Sequence, residues 1–299
     1  MADELRISTR PDLRSPVLVC AFRGWNDGGQ GATLAANFLA TAWKAERFAD
    51  IDPENFFDFQ VTRPNVSLVD GATRRLEWPE TTFMHAPIPG LERDSVILLG
   101  IEPNLRWRRF GELVAGLAEE VGVELVVTLG SLLADVPHTR PSPVTGSASD
   151  QHLIEELGLE RSRYEGPTGI VGVLHDAFYR RGIPAVSLWA AVPHYVSLAP
   201  SPRAALALCD RLGSLLGASI DTHELDEASD KYAEQVSQAV ATDEETSAYV
   251  EELEQRSDEI AAQDVSGETL AAELTRFLRE RERGNGGGPK PPGDLPREQ

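Results

Sequence analysis

Apolar residues along this chain follow two patterns. Continuous runs at 17–22, 95–100, 124–129 and 185–192 lack polar alternation, as expected of strands buried on both faces. Between them, apolar positions recur at helical spacing. The stretch 32–48 places Leu34, Phe38, Leu39 and Ala42 on one face, and 107–121 does the same with Phe110, Leu113, Val114 and Leu117 before Gly122 stops it. A short helix is predicted at 150–157, closed by Gly158. A longer one is predicted at 169–181, with Arg180 and Arg181 in the last turn, where cations suit the negative helix end. Ser201 followed by Pro202 reads as an N-cap and first helical position, opening a helix to Leu216. The stretch 50–92 is less regular, with strands predicted at 56–61, 74–78 and 82–86 between Asn, Gly and Pro. This alternation predicts a mostly parallel sheet covered on both faces. The segment 131–147, rich in Pro, Gly and Ser, reads as a long loop of the kind that carries function.

The pattern changes near Ala218. Three narrow amphipathic stripes follow. Leu225, Ala228, Tyr232, Val236 and Val240 form the first, and Tyr249, Leu253 and Ile260 the second, with Thr242 and Glu245 as its capping box. Leu270, Leu274, Phe277 and Leu278 form the third. Residues 284–299, rich in Gly and Pro, are expected to be disordered. The predicted organisation is an α/β core at 1–218, a helical extension at 219–283 and a tail at 284–299.

Charge separates the same regions. The 299 residues hold 48 acidic and 28 basic side chains, a net of −20, which argues against nucleic acid or an anionic membrane as partner. Residues 219–299 carry 21 acidic and 8 basic side chains, so most of the imbalance lies in the helical end. Cys20 and Cys209 are too few for a disulfide scaffold and sit in apolar stretches. With no basic start followed by a long apolar run, and no apolar stretch near membrane length, a cytoplasmic protein is expected.

Ligands of open α/β sheets bind beyond the carboxyl ends of the strands. That rule selects Asn26, Asp27 and Gly28 after the first buried strand, Glu102 and Arg106 after the next, and Ser131, Asp135, His138 and Arg140 on the long loop. His194 follows the last strand, and Glu165 and Thr168 open the helix at 169. The turn at 24–31 has neither phosphate-loop nor dinucleotide spacing; its plainer reading is a tight turn with Asn26 or Asp27 as N-cap. Arg106, Arg108 and Arg109 lie at a helix start, where the dipole disfavours cations. They need a negative partner: a ligand, Glu102 or Asp135, or an acidic surface of another subunit. No nucleophile elbow or zinc-binding spacing is present, and no cofactor or metal is implied.

Five ordered stretches carry a resemblance: 24–29, 100–108, 133–141, 164–170 and 186–195. Together they resemble the bacterial branch of the proteasome assembly chaperone 2 family over residues 10–218. The resemblance implies a three-layer α/β/α domain similar to the purine nucleoside phosphorylase-like fold, and a homo-oligomer, with a trimer favoured. It also implies proteasome subunits as partners, although the hydrophobic–Tyr–any C-terminus of such chaperones is replaced here by Pro296-Arg297-Glu298-Gln299. It transfers no catalytic residue. Two functions follow as expectations: an oligomeric protein-binding or assembly factor, or a binder or enzyme for a nucleoside or phosphorylated metabolite. The mildly acidic body and the acidic helical end are expected to touch, within or between subunits.

Overall fold

A computed structural model describes residues 4–148 and 150–263. The elements are β1 (Leu5–Ile7), β2 (Val17–Arg23), α1 (Gly31–Ala42), β3 (Glu46–Ile51), β4 (Asn65–Val69), β5 (Thr73–Glu77), β6 (Thr81–Pro87) and β7 (Asp94–Ile101). Then come α2 (Trp107–Glu120), β8 (Leu125–Ala134), β9 (Val144–Ala148), α3 (Gln151–Leu157), β10 (Glu160–Arg161), α4 (Ile170–Arg180), β11 (Ala185–Pro193), α5 (Pro202–Leu216), α6 (His223–Val240) and α7 (Glu244–Gln263).

The main sheet has nine strands in the order β1-β3-β6-β7-β2-β8-β11-β9-β10. Its centre, β7-β2-β8-β11, is parallel throughout, and the apolar runs read from the sequence lie there. Antiparallel strands flank the centre: β6 pairs with β7, β3 with β6, β1 with β3 and β9 with β11. Alternate residues of each central strand enter two different cores. Val17, Val19, Val127 and Leu188 face α1 and α5; Leu18, Cys20, Val126 and Leu98 face α2 and α4, where Phe110 stacks edge-on against Phe22 and Phe56. The three-layer α/β/α architecture follows from that alternation. α6 packs outside α5, and its Leu225 joins the first core.

Several sequence-based boundaries need correction. The first helix ends at Ala42, and 46–51 is strand β3, buried at Phe48, Ala49 and Ile51. Phe48 continues the helical spacing but occupies a short strand near the sheet edge. Residues 56–61 form turns instead of a strand: Asn104 caps them from the side, its Oδ1 accepting from Asp58 N and Thr62 Oγ1. The strand read as ending at 129 continues to Ala134, paired along its length with β11. The long loop therefore shrinks to 135–143, because 144–148 returns as β9. At α7 the cap is one residue later than expected. Asp243 accepts from Glu245 N and Thr246 Oγ1, while the Thr242 hydroxyl turns back to Ala239 O. The third stripe and the tail lie outside the described residues. Among the described residues no helix is long and apolar enough to cross a membrane.

Candidate functional site

Most of the selected residues gather at the carboxyl edge of the parallel strands in two hydrogen-bonded groups; Arg106, Glu165 and Thr168 lie outside them.

The first group joins the ends of β2, β7 and β8. Asp27 Oδ1 accepts from Ala32 N at 2.9 Å, Thr33 N at 3.1 Å and Ser131 Oγ at 3.3 Å, while Oδ2 accepts from Thr33 Oγ1 at 2.5 Å. Asp27 is therefore the side chain that caps α1, reaching past a short 3₁₀ turn at 28–30. Gly28 has no room for a side chain, since a Cβ there would sit 3.1 Å from the Leu132 backbone. Asn26 is buried and donates through Nδ2 to Glu102 Oε1 at 3.4 Å. The same oxygen accepts from Ile170 N at 2.8 Å, and Oε2 accepts from Trp25 N at 3.2 Å. Glu102 thus caps α4 and holds the turn after β2, a carboxylate at a helix start as the dipole favours.

The second group joins the loop 135–143, the end of β11 and the two outer helices. The His138 ring lies between Tyr195 and Ser237, with Nδ1 at 2.8 Å from the phenol oxygen and Nε2 at 2.9 Å from Ser237 Oγ. The Tyr195 oxygen also accepts from His138 N at 2.9 Å. The ring thus ties the loop to α6 through one nitrogen and to Tyr195 through the other. Burial lowers the His138 pKa, with Arg203 adding to the shift and Glu254 opposing it. His194 Nε2 lies 3.0 Å from Tyr249 Oη and 3.2 Å from Asp135 Oδ1, and Tyr249 donates to the same carboxylate oxygen at 3.1 Å. Arg140 forms a bidentate pair with Asp258, both distances 2.8 Å, and lies 3.6 Å from Glu254, which also accepts from Thr139 Oγ1. This group fastens the acidic helices to the body of the same chain.

Of the remaining candidates, Thr168 donates back to Gly169 O, and Glu165 stands exposed on the loop before α4, outside both groups. Arg106 and Arg109 find their anion in Glu4, at 3.3 and 2.6 Å, so neither Glu102 nor Asp135 supplies it. The body and the acidic helices do touch, through Arg140 and not through the arginines at the start of α2. Sequence reading missed Glu4, Ser237, Glu254 and Asp258. Tyr249 it read only as part of an apolar stripe.

The chemistry of these groups is restrained. Burial pushes the Tyr195 and Tyr249 phenols up to about 12, so both remain protonated donors at neutral pH. Burial likewise pushes both cysteine thiols up, away from thiolate. Among the described residues no group of His, Cys, Asp and Glu is arranged to hold a metal ion.

The residues 21–240 match the family model for the PAC2 family. The chain belongs to the PAC2 family. This PAC2 chain is 48% identical to a PAC2 family protein of known structure from Streptomyces avermitilis, covering 79% of this chain and 99% of that one at a TM-score of 0.72. It is 44% identical to a proteasome-assembly chaperone homologue from Mycobacterium tuberculosis, covering 78% and 99% of the two chains, also at 0.72. A second M. tuberculosis protein, described as of unknown function, is 28% identical over 94% of this chain and 97% of its own, at 0.81. No curated protein matches the sequence.

One prediction tests the second group, and one tests the buried histidines. Tyr195→Phe strands both His138 N and Nδ1, so it is expected to cost about 2 kcal/mol in urea denaturation. A loss within the range of an ordinary surface change would show the bonds to be dispensable. The second concerns pH. His138 is lowered by burial, and His175, with Nε2 at 2.9 Å from both Thr128 Oγ1 and Ser187 Oγ, is lowered by burial to about 4. The unfolded chain therefore binds protons that the native chain does not. Stability is full above the ordinary histidine value and falls as pH drops from about 6.5 toward 4. His175→Gln should flatten that fall, measured as the urea midpoint against pH.

Proposed function

We propose that this chain is a homo-oligomeric protein-binding factor of the proteasome-assembly type, acting in the cytoplasm. The observation that carries this reading is the 44% identity to a proteasome-assembly chaperone homologue over nearly the whole of that chain. The site supports it by what its groups are engaged in. Asp27, Glu102, His138 and Arg140 serve helix caps and the fastening of α6 and α7, and burial holds the Tyr195 and Tyr249 phenols protonated. A trimer is the oligomer proposed, with residues 219–263 covering the body of their own subunit.

Three measurements test the reading. Light scattering after size exclusion should give three copies, and a monomer at micromolar concentration would overturn the oligomer. Immobilised protein should retain proteasome α subunits from the same cells, and their absence would overturn the partner. Truncation after Ala218 should lower solubility while the oligomer persists. Loss of the oligomer would instead make the outer helices an interface between subunits.

A further inference from the structure

A further open space lies on the same sheet edge, adjoining the first group at the ends of β2 and β7. It is a cleft of about 730 Å³ between the sheet and the β4–β5 hairpin. Its floor is built from the ends of β2, β3 and β7, at Arg23, Ile51 and Ile101, and from Thr81 at the start of β6, which runs antiparallel to β7. These are carboxyl ends of strands, where α/β sheets take ligands. The volume falls in the range of small-molecule sites, roughly 300–1,000 Å³.

Five arginines and five carboxylates line this cleft, and only some of them pair with one another. Arg6 engages Asp50 and Asp52, Arg47 engages Asp50 and Glu80, and Glu77 accepts from the Ser67 hydroxyl. Among the described residues, the guanidinium groups of Arg23, Arg63 and Arg75 have no carboxylate partner, and Glu54 and Glu77 have no cation. Three arginines without a carboxylate partner around one space offer charged donors to an anion. A guanidinium fork matches phosphate oxygens in bidentate fashion. Beside them stands Trp78, its ring set edge-on to Phe59 at 4.9 Å and 44% exposed, an open apolar surface on the same wall. On the floor, the Thr81 hydroxyl is buried and has no hydrogen-bond partner among the described residues.

We propose that this cleft binds an organic phosphate, its phosphate oxygens held by Arg23, Arg63 and Arg75 and its planar or apolar part resting on Trp78. The site is independent of the assembly reading and places the ligand-binding alternative at residues other than those first selected.

Isothermal titration of the full chain at low salt tests it, with inorganic pyrophosphate, ADP, adenosine and a hexaglutamate peptide as probes. Pyrophosphate and ADP are expected to bind, ADP more tightly, and adenosine weakly. The double substitution Arg63→Ala and Arg75→Ala should weaken both phosphate probes about tenfold or more, since each charge-assisted pair contributes on that scale. Trp78→Ala should remove the advantage of ADP over pyrophosphate. Circular dichroism should be unchanged, because these side chains are exposed. Failure of both phosphate probes at millimolar concentration would overturn the site. So would tighter binding of hexaglutamate, which would make the cleft a peptide surface. Phosphate binding untouched by the arginine substitutions would keep a ligand for the protein but overturn this cleft. None of these results bears on retention of proteasome subunits.

Discussion

Asp27→Ala is expected to destabilise the protein by about 4 kcal/mol, from the loss of a helix cap together with newly unpaired buried donors. The carboxylate is 6% exposed and accepts four hydrogen bonds, two from the first turn of α1 and two from hydroxyls. Ser131 beside it is fully buried, so its hydroxyl loses a partner inside the fold. Losing the cap alone costs about 1–2 kcal/mol, and each orphaned buried group adds about 1 kcal/mol or more. Burial offsets part of this, since it raises the Asp27 pKa despite the bonds from Thr33, Ala32 and Ser131 that lower it. Asp27→Asn keeps an acceptor for the helix and should cost about half as much. The sign of its pH dependence follows from the raised value. A carboxyl whose folded pKa lies above its unfolded one contributes most at low pH, and that contribution is lost as pH rises through the folded value. The gap between wild type and Asp27→Asn should therefore narrow from pH 4 to pH 7. A gap that widens would show that the cap's hydrogen bonds outweigh burial, and an alanine variant as stable as wild type would refute the cap as the role of Asp27.

How far the residues announced this structure depends on the range of the interactions involved. The central strands were legible because burial on both faces leaves no polar positions, and that signal is local. α5 was legible to the residue because Ser201 and Pro202 mark its start and Gly217 its end, in left-handed conformation at φ 68°. Strands β1, β3 and β4 were not. Each is short and lies outside the parallel centre, and Ala45 and Phe48 continue the spacing of the helix before them. Gly130 and Ser131 read as loop residues, yet the strand continues through them. Ser131 is paired in the sheet, accepted by Asp27, and bonded from its N to Asn26 O. Trp189 of the adjacent strand lies over Gly130, where a Cβ would meet its ring at 2.4 Å.

The site divides in the same way. The cap by Asp27 acts over five or six residues and could be read from the turn. The fastening of α6 and α7 joins residues 99 to 118 positions apart. A charge count showed that an acidic region and cationic positions should meet, but not which arginine would do it. Glu4, from β1's own approach, took Arg106 and Arg109, which left Arg140 to bind the helices. The arginines of the cleft went unselected for a related reason. Their common space exists only because the hairpin at 65–77 folds over the sheet edge, a region with little periodic signal.

Gly31→Ala is expected to destabilise by about 3 kcal/mol, an overpacking loss that outweighs the intrinsic helix gain. Gly31 opens α1 with φ −69° and ψ −41°, ordinary helical values that any residue adopts. Backbone freedom does not explain it. By propensity alone, alanine would be better by about 1 kcal/mol. Space decides the sign instead. A Cβ on Gly31 would lie 2.6 Å from Ala204 Cβ and 3.3 Å from both Cβ and Oγ of Ser131. Neither neighbour has a flexible end to move, since one is a methyl on α5 and the other belongs to a central strand. α1 and α5 would have to separate, opening the core that Ala32, Ala35 and Leu208 fill between them. The displaced Ser131 hydroxyl would also leave Asp27. Ala204→Gly removes the opposing methyl, so the double variant should recover most of the loss apart from the cost of glycine in α5, about 1 kcal/mol. A coupling of about 2 kcal/mol in the double-mutant cycle is the expected result. Additive effects would mean that the two helices do not meet at this point.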